Sequence, residues 1–274
     1  MKNKTNQRSK KILRWVQFII VIYCAIGIAL YYLQERFLFH PKKLNSNYTY
    51  KFPGPFREFM IPLNSLDTIS MVKFFPVGGA SKGVVIYFHG NMENIEHYAA
   101  YTGTFTAKGY EVWMPDYPGF GKSNGKLTEE KLYSMALQVQ KMAASRFSND
   151  SIIIYGKSLG TGIAAYIASI TDCRALILET PYYSIPSLFS CYAFIYPTGQ
   201  MSNFKIPTYE FLKEVKAPVS IFHGTKDEVI PIRNAIKLVK SLKPGDVFLQ
   251  IKNGNHNNLF GNSTFIHSLD SILH

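Results

Sequence analysis

The chain has 274 residues, 47% hydrophobic, 18% charged and 15% aromatic, a balance that excludes a disordered tail protein and suits one large domain with or without an appendage. Its formal net charge of +12 is concentrated rather than general: Lys2, Lys4, Arg8, Lys10, Lys11 and Arg14 lie in the first fourteen residues, and no acid precedes Glu35. Half the excess is thus one N-terminal cluster, which argues against nucleic-acid binding, and the three cysteines (Cys24, Cys173, Cys191), none in CxxC spacing, exclude a disulfide-dense scaffold, a zinc finger and a thioredoxin-type motif.

After the basic tail (1–14), Trp15 to Leu33 is a run of nineteen residues whose only strongly polar member is Gln17. A helix of that length, rising about 1.5 Å per residue, covers roughly the hydrocarbon layer of a bilayer. Trp15, Tyr31 and Tyr32 lie near its ends, where interfacial aromatics are favoured, and the upstream basic cluster predicts an N-inside orientation with everything after Leu33 outside the cytoplasm. A cleaved signal peptide is the rival, since Ala25-x-Gly27 is a small-x-small site. The apolar run continuing through Ile28–Leu33 favours an uncleaved signal anchor, and Tyr23 before Cys24 excludes a lipobox. Residues 34–56 are expected to link the anchor to a domain at 57–274.

Phe59–Leu63 and Ser70–Phe75 read as an antiparallel start. Short, continuous apolar runs follow at Val84–Phe88, Tyr110–Met114, Ile152–Tyr155, Ala175–Leu178, Pro218–Phe222 and Val247–Ile251, the pattern of strands covered on both faces. Between them lie helical patterns. Thr128 caps one, with Glu129 and Glu130 in its first turn and a stripe at Leu132, Met135, Ala136, Val139, Met142 and Ala143. Pro231 opens another at its first position, with Ile232, Ala235, Ile236 and Val239 on one face. The fold class predicted is α/β, a mostly parallel central sheet flanked by helices. An aromatic-rich insert at about 181–216 breaks the rhythm and reads as a small cap over a site.

Gly156-Lys157-Ser158-Leu159-Gly160 follows a strand and precedes a helix of small residues, which is G-x-S-x-G in its required setting. A serine nucleophile needs a base, and the base an orienting acid. His256, in a turn-rich loop after the last strand, is the base expected; His267 and His274 are bystanders. Asp227 is the best-placed acid, after the strand ending at Phe222, with Glu228 and Glu179 as alternatives. The oxyanion donors expected are the amides of Leu159 and Asn91, with Met92 as fallback. His89 and His223 are read as structural.

Several other patterns carry no chemistry. Gly121-Lys122-Ser123 and Gly156-Lys157-Ser158 lack the upstream glycine of a phosphate loop. Gly160-x-Gly162-x-x-Ala165 lies inside a helix and reads as close packing rather than a dinucleotide site. Without H-E-x-x-H or a Cys/His cluster, neither a metal nor a cofactor is expected.

The blocks QERFLFHP (Gln34–Pro41), FHGNMEN from Phe88, DYPGFGKSNG from Asp116, YGKSLGTG from Tyr155, LETPYYSI from Leu178, HGTKDEVIP from His223 and GNHNNL from Gly254 together resemble the α/β-hydrolase superfamily, in particular its membrane-anchored Bem46-like serine hydrolases. Asn257-Asn258 departs mildly from that pattern. The resemblance implies an α/β-hydrolase fold, Ser158 as nucleophile, Asp227 as acid, His256 as base, and hydrolysis of a carboxylic ester, thioester or amide. With the aromatic insert and the tether, the expectation is a membrane-anchored serine hydrolase acting through an acyl-enzyme on a small-molecule or lipid-like acyl substrate. The alternatives are a serine peptidase or amidase, and a non-catalytic envelope interaction module that keeps the fold.

Overall fold

The computed structural model describes residues 2–274, the side chains from Gln7 onward; Met1 and the side chains of Lys2 and Lys4 from the basic cluster lie outside the described residues. In chain order the elements are α1 (Lys2–Leu38), β1 (His40–Pro41), β2 (Phe56–Pro62), β3 (Thr68–Phe74), β4 (Gly83–Phe88), β5 (Met92–Glu93), α2 (Ile95–Tyr98), α3 (Thr102–Thr106), β6 (Tyr110–Pro115), α4 (Glu129–Ala144), β7 (Ile152–Lys157), α5 (Gly160–Ile170), β8 (Ala175–Glu179), α6 (Ile185–Ser190), α7 (Thr198–Met201), α8 (Thr208–Glu214), β9 (Val219–Gly224), α9 (Ile232–Ala235), β10 (Val247–Ile251) and α10 (Ser263–Leu273).

Eight strands form one sheet in the order β10-β9-β8-β7-β4-β6-β3-β2. The six from β10 to β6 run parallel. β3 is antiparallel to β6 and β2 antiparallel to β3, as the opening segments predict. The continuous apolar runs divide residue by residue between the two faces, as the period of two in a strand requires. Val84, Ile86 and Phe88 enter the core shared with α4, α5 and α8, whereas Val85 and Tyr87 enter the core shared with α3 and α10. From β4 the chain passes to β6 on one side and then to β7 on the other, so the strand order reverses at the β4/β7 pair. Ligands of open α/β sheets bind beyond the carboxyl ends of strands at such a point.

Thr128 caps α4, its hydroxyl accepting from the Lys131 amide at 3.2 Å, and the predicted stripe is buried except for Met142, which is half-buried. The helix expected from Pro231 differs. Pro231 has φ −55° and ψ 136°, so it precedes the first helical residue. Four residues of α9 then tighten into a 3₁₀ turn over Ile236–Ser241. Three residues per turn put Ala235, Leu238 and Ser241 inward, and Ile236 and Val239, expected on the apolar face, point outward. At the other end of the chain α1 runs five residues beyond Leu33. Residues 34–56, expected as a linker, lie on the domain: Gln34, Leu38, Phe39 and Tyr50 are buried, and β1 pairs with β5. Cys173 and Cys191 are both free.

The close contact beneath the β7–α5 turn gives a test of opposite signs. A Cβ on Gly160 would collide with the Phe88 carbonyl and lie 2.7 Å from that of His89, whereas nothing lies within 4 Å of one on helical, exposed Gly103. Gly103→Ala should stabilise the protein by about 0.5–1 kcal/mol, and Gly160→Ala should lower the thermal midpoint sharply, both read by differential scanning calorimetry in detergent.

Candidate active site

β7 ends at Lys157 and α5 begins at Gly160, leaving two residues to turn the chain. Ser158 takes φ 51°, a left-handed conformation that costs a non-glycine residue about 1–2 kcal/mol. The flanking glycines make the turn sterically possible. A Cβ on Gly156 would stand 2.7 Å from Thr161 Cα and 2.8 Å from Ala164 Cβ, and Gly160 lies against the end of β4. The Ser158 amide donates to the Glu179 carbonyl at 2.9 Å, and the Thr161 hydroxyl donates to the Ser158 carbonyl at 2.6 Å. Fixed from both sides, the hydroxyl projects beyond the carboxyl edge of the sheet.

His256 and Asp227 arrive from the loops after β10 and β9. His256 Nε2 lies 2.9 Å from Ser158 Oγ, and its Nδ1 lies 2.8 Å from Asp227 Oδ2. With the ring proton on Nδ1, that N–H donates to the carboxylate and Nε2 accepts a hydrogen bond from the Ser158 hydroxyl. Asp227 Oδ1 accepts from the Val229 and Ile230 amides at 2.9 and 2.8 Å, which locks the carboxylate plane. Burial pushes the Asp227 carboxyl up, but the hydrogen bond and charge of His256 and the Ile230 amide outweigh it and hold the group below the usual carboxylate range. The other candidates lie away from this pair of bonds. Glu228 is exposed, His267 is exposed and bonded to the Ser263 carbonyl at 2.7 Å, and His274 ends the chain.

His89 and His223 take structural positions. His89 Nδ1–H donates to the Gly90 carbonyl at 2.7 Å. His223 Nε2–H donates to the Ile230 carbonyl at 2.8 Å, supporting the loop that carries Asp227, and burial lowers the pKa of its ring.

Glu179, an alternative acid in the sequence, serves a different purpose. Its carboxylate takes a short ion pair from Lys157 and a hydrogen bond from the Tyr155 hydroxyl at 2.5 Å. Lys157 also reaches the His256 carbonyl at 3.3 Å. The elbow residue before Ser158 is thereby tied to the loop that carries His256. The sequence carries a signal for this pair: a lysine inside a strand buried on both faces requires a buried counter-charge.

The two amides expected as oxyanion donors differ from the fallback. The Met92 amide donates to the Tyr98 hydroxyl at 3.3 Å, whereas Asn91 and Leu159 line a cavity together with Ser158. The Asn91 side chain donates to the Leu38 carbonyl at 2.8 Å, and the His40 amide donates to the Asn91 carbonyl at 2.9 Å. The end of α1 therefore holds this loop in place. The cavity has a volume of about 420 Å³, within the range of small-molecule sites. Ser158 and Leu159 meet it from the elbow, Tyr182, Ile185 and Phe189 from the insert, and Leu30, Gln34, Phe37 and Leu38 from α1. No charged side chain lines it. The contribution of α1 has no signal in the sequence, because a run that reads as a membrane span gives no indication that one of its faces closes a site. Among the described residues no group of three or more His, Cys, Asp or Glu is arranged to hold a metal.

This sheet, with a G-x-S-x-G turn at its reversal point and loops carrying an acid and a histidine, is the α/β-hydrolase fold. A Pyrococcus furiosus esterase superposes with a TM-score of 0.67 at 16% identity, covering 86% of this chain and 97% of its own. The sequence model of the family described as serine aminopeptidase, S33 matches residues 79–210, a stretch that includes Ser158 but neither Asp227 nor His256. The α/β hydrolase domain-containing protein 17C of Xenopus tropicalis is 28% identical over 187 residues, 65% of this chain and 57% of that protein. The protein aho-3 of Caenorhabditis elegans, also described as α/β hydrolase domain-containing, is 27% identical over 192 residues, 69% and 57%. The aligned part spans little more than half the length of these relatives. The chain has the α/β-hydrolase fold, and over its central part it is similar in sequence to proteins described as hydrolases of that superfamily.

The Lys157–Glu179 pair gives a stability prediction. Lys157→Met leaves Glu179 buried against one hydroxyl and should cost about 3–5 kcal/mol. Lys157→Met combined with Glu179→Met removes the uncompensated charge and should recover most of that loss in urea unfolding followed by far-UV circular dichroism.

Proposed function

We propose that the protein is a membrane-anchored serine hydrolase that cleaves a carboxylic ester or thioester of an acyl or lipid-like substrate. The observation that carries this reading is the chain of two hydrogen bonds, 2.9 Å from Ser158 Oγ to His256 and 2.8 Å from His256 to Asp227, at the floor of a cavity lined without charge. Ser158 Oγ attacks the acyl carbonyl while His256 Nε2 takes its proton. Asp227 holds the Nδ1 proton in place and stabilises the imidazolium. The Leu159 and Asn91 amides receive the oxyanion. The tetrahedral intermediate collapses, His256 returns its proton to the leaving alcohol or thiol, and the acyl group remains on Ser158. Water, deprotonated by His256, then attacks this ester; the acid departs, and the proton passes back to Ser158.

The name of the matching family raises peptide hydrolysis as a second reading. An aminopeptidase must bind a free ammonium, and no aspartate or glutamate lines this cavity, so an uncharged acyl group suits it better. The domain reading follows the same lines: α1 holds a stretch, Gln7–Leu38, long and apolar enough to cross a membrane, and we assign the basic tail to the cytoplasm and the hydrolase domain to the outer side.

A fluorophosphonate probe should label wild type at Ser158 and leave Ser158→Ala unlabelled. Asp227→Asn should lower kcat/KM on p-nitrophenyl esters by about 10⁴-fold, and aminoacyl p-nitroanilides should be turned over far more slowly than those esters. Equal labelling of Ser158→Ala would remove the reading.

A further inference from the structure

α1 lies along the cap rather than leaving the domain at its end. Tyr23 stacks on Tyr196 with ring centroids 4.6 Å apart and planes 8° from parallel. The two exchange backbone bonds: the Tyr23 hydroxyl donates to the Ile195 carbonyl and the Tyr196 hydroxyl to the Tyr23 carbonyl, each at 3.0 Å. Gly27 leaves room for this contact, since a Cβ there would stand 3.0 Å from the Tyr196 ring. Further along, Gln34 donates to the Met201 carbonyl at 3.0 Å and accepts from the Asn203 amide at 2.7 Å. Positions 23, 27, 30, 34 and 38 form one helical face, and that face is the seam between α1 and the cap.

The depth of the seam along α1 matters. Tyr23 lies ten residues before Leu33, about 15 Å along the axis, so a span ending near Leu33 carries the cap tip at the level of the hydrocarbon. The composition of the cap agrees. Pro181 to Phe204 is a stretch of 24 residues without one charged side chain, in a chain where 18% are charged. At its tip Phe194 is 81% and Ile195 58% exposed. The cavity reaches the surface on the same side, since Phe37 of α1 and Tyr192 of the cap both line it and are both exposed.

We propose that the cap tip around Phe194 and Ile195 is immersed in the leaflet that α1 crosses, and that the site opens between α1 and the cap to lipid. Its substrate is then a membrane-resident, long-chain acyl ester or thioester that enters laterally, acyl chain first. This rests on Ser158 as the nucleophile and on α1 as a membrane span. The seam face of α1 is the wall that the chain slides along, with Leu30 and Phe37 in contact with it, and the carbonyl meets Ser158 at the inner end. Removing α1 removes that wall, so a truncated enzyme handles short esters better than long ones.

The depth is measured on the full chain reconstituted in vesicles of phosphatidylcholine carrying brominated acyl chains. The Trp15→Phe background retains Trp113, which is fully buried and is subtracted. Phe194→Trp in that background should be quenched by the bromines. Val77→Trp should not: Val77 is 85% exposed, in the turn between β3 and β4 at the end of the sheet opposite the site. Quenching of Phe194→Trp by aqueous acrylamide alone, equal to that of Val77→Trp, overturns the proposal. In the same vesicles Phe194→Asp with Ile195→Asp should slow hydrolysis of an embedded long-chain ester by about tenfold or more, because charge at that depth is expelled. Hydrolysis of p-nitrophenyl acetate and fluorophosphonate labelling should stay near wild type, which shows that the variant folds; an unchanged long-chain rate also overturns lateral entry. Bromine quenching without labelling of Ser158 would retain the immersed tip and discard the hydrolase chemistry, so the two failures are told apart.

Discussion

The contact between the β7–α5 turn and the end of β4 is the constraint on which the site depends. Gly156 and Gly160 let the turn close against backbone, with Gly160 seated under the carbonyls of Phe88 and His89. Only that closeness places Ser158, at φ 51°, beside the loop that begins at His89. Ser158 and the loop that carries Asn91 are therefore brought together by this packing contact. Strain of this kind persists because the surroundings over-determine it. Here they are the Glu179 carbonyl, the Thr161 hydroxyl and the sheet itself.

Buried charges complete the frame around it. Lys157 sits on the elbow, Glu179 on the next strand, and the His256 carbonyl on a loop almost a hundred residues away in sequence. The pair adds little net stability over an apolar substitute of the same shape, but it ties the elbow, the neighbouring strand and the His256 loop together. Asp116 has a comparable part on the other side. It accepts from the Ile95 amide at 2.9 Å and from the Tyr50 hydroxyl at 3.4 Å, next to His89, and burial raises its pKa. The loop bearing Asn91 is thus held from the sheet side by Asp116 and from the outside by the end of α1.

The strands, the glycine elbow and the order serine, acid, histidine were legible in the sequence because each is a local pattern: a continuous apolar run, a turn that only glycine permits, a loop at a strand end. Pattern alone left Asp227, Glu228 and Glu179 as rivals. They separate in three dimensions, where Glu228 points to solvent and Glu179 is engaged by Lys157 and Tyr155. The segment after Pro231 departs from its α-helical pattern because the chain there winds with three residues per turn. The role of α1 was hidden for a different reason. A uniformly apolar helix shows no amphipathic face, so the stripe of Gly27, Leu30, Gln34 and Leu38 that meets the cap and cavity is invisible until the partner surface is known.

The helix expected as a tether also forms a wall of the cavity, and the boundary between α1 and the rest of the domain dissolves near Gln34. The proposed hydrolysis requires that Ser158, His256 and Asp227 act as one unit. The most direct measurement of that is a cycle of Ser158→Ala, His256→Ala and the double variant on one p-nitrophenyl ester. Groups that share a proton relay lose nearly all of their effect with the first removal, so the double variant should be no slower than either single one. Losses that multiply across the cycle would mean that the two side chains act independently, and would contradict the account.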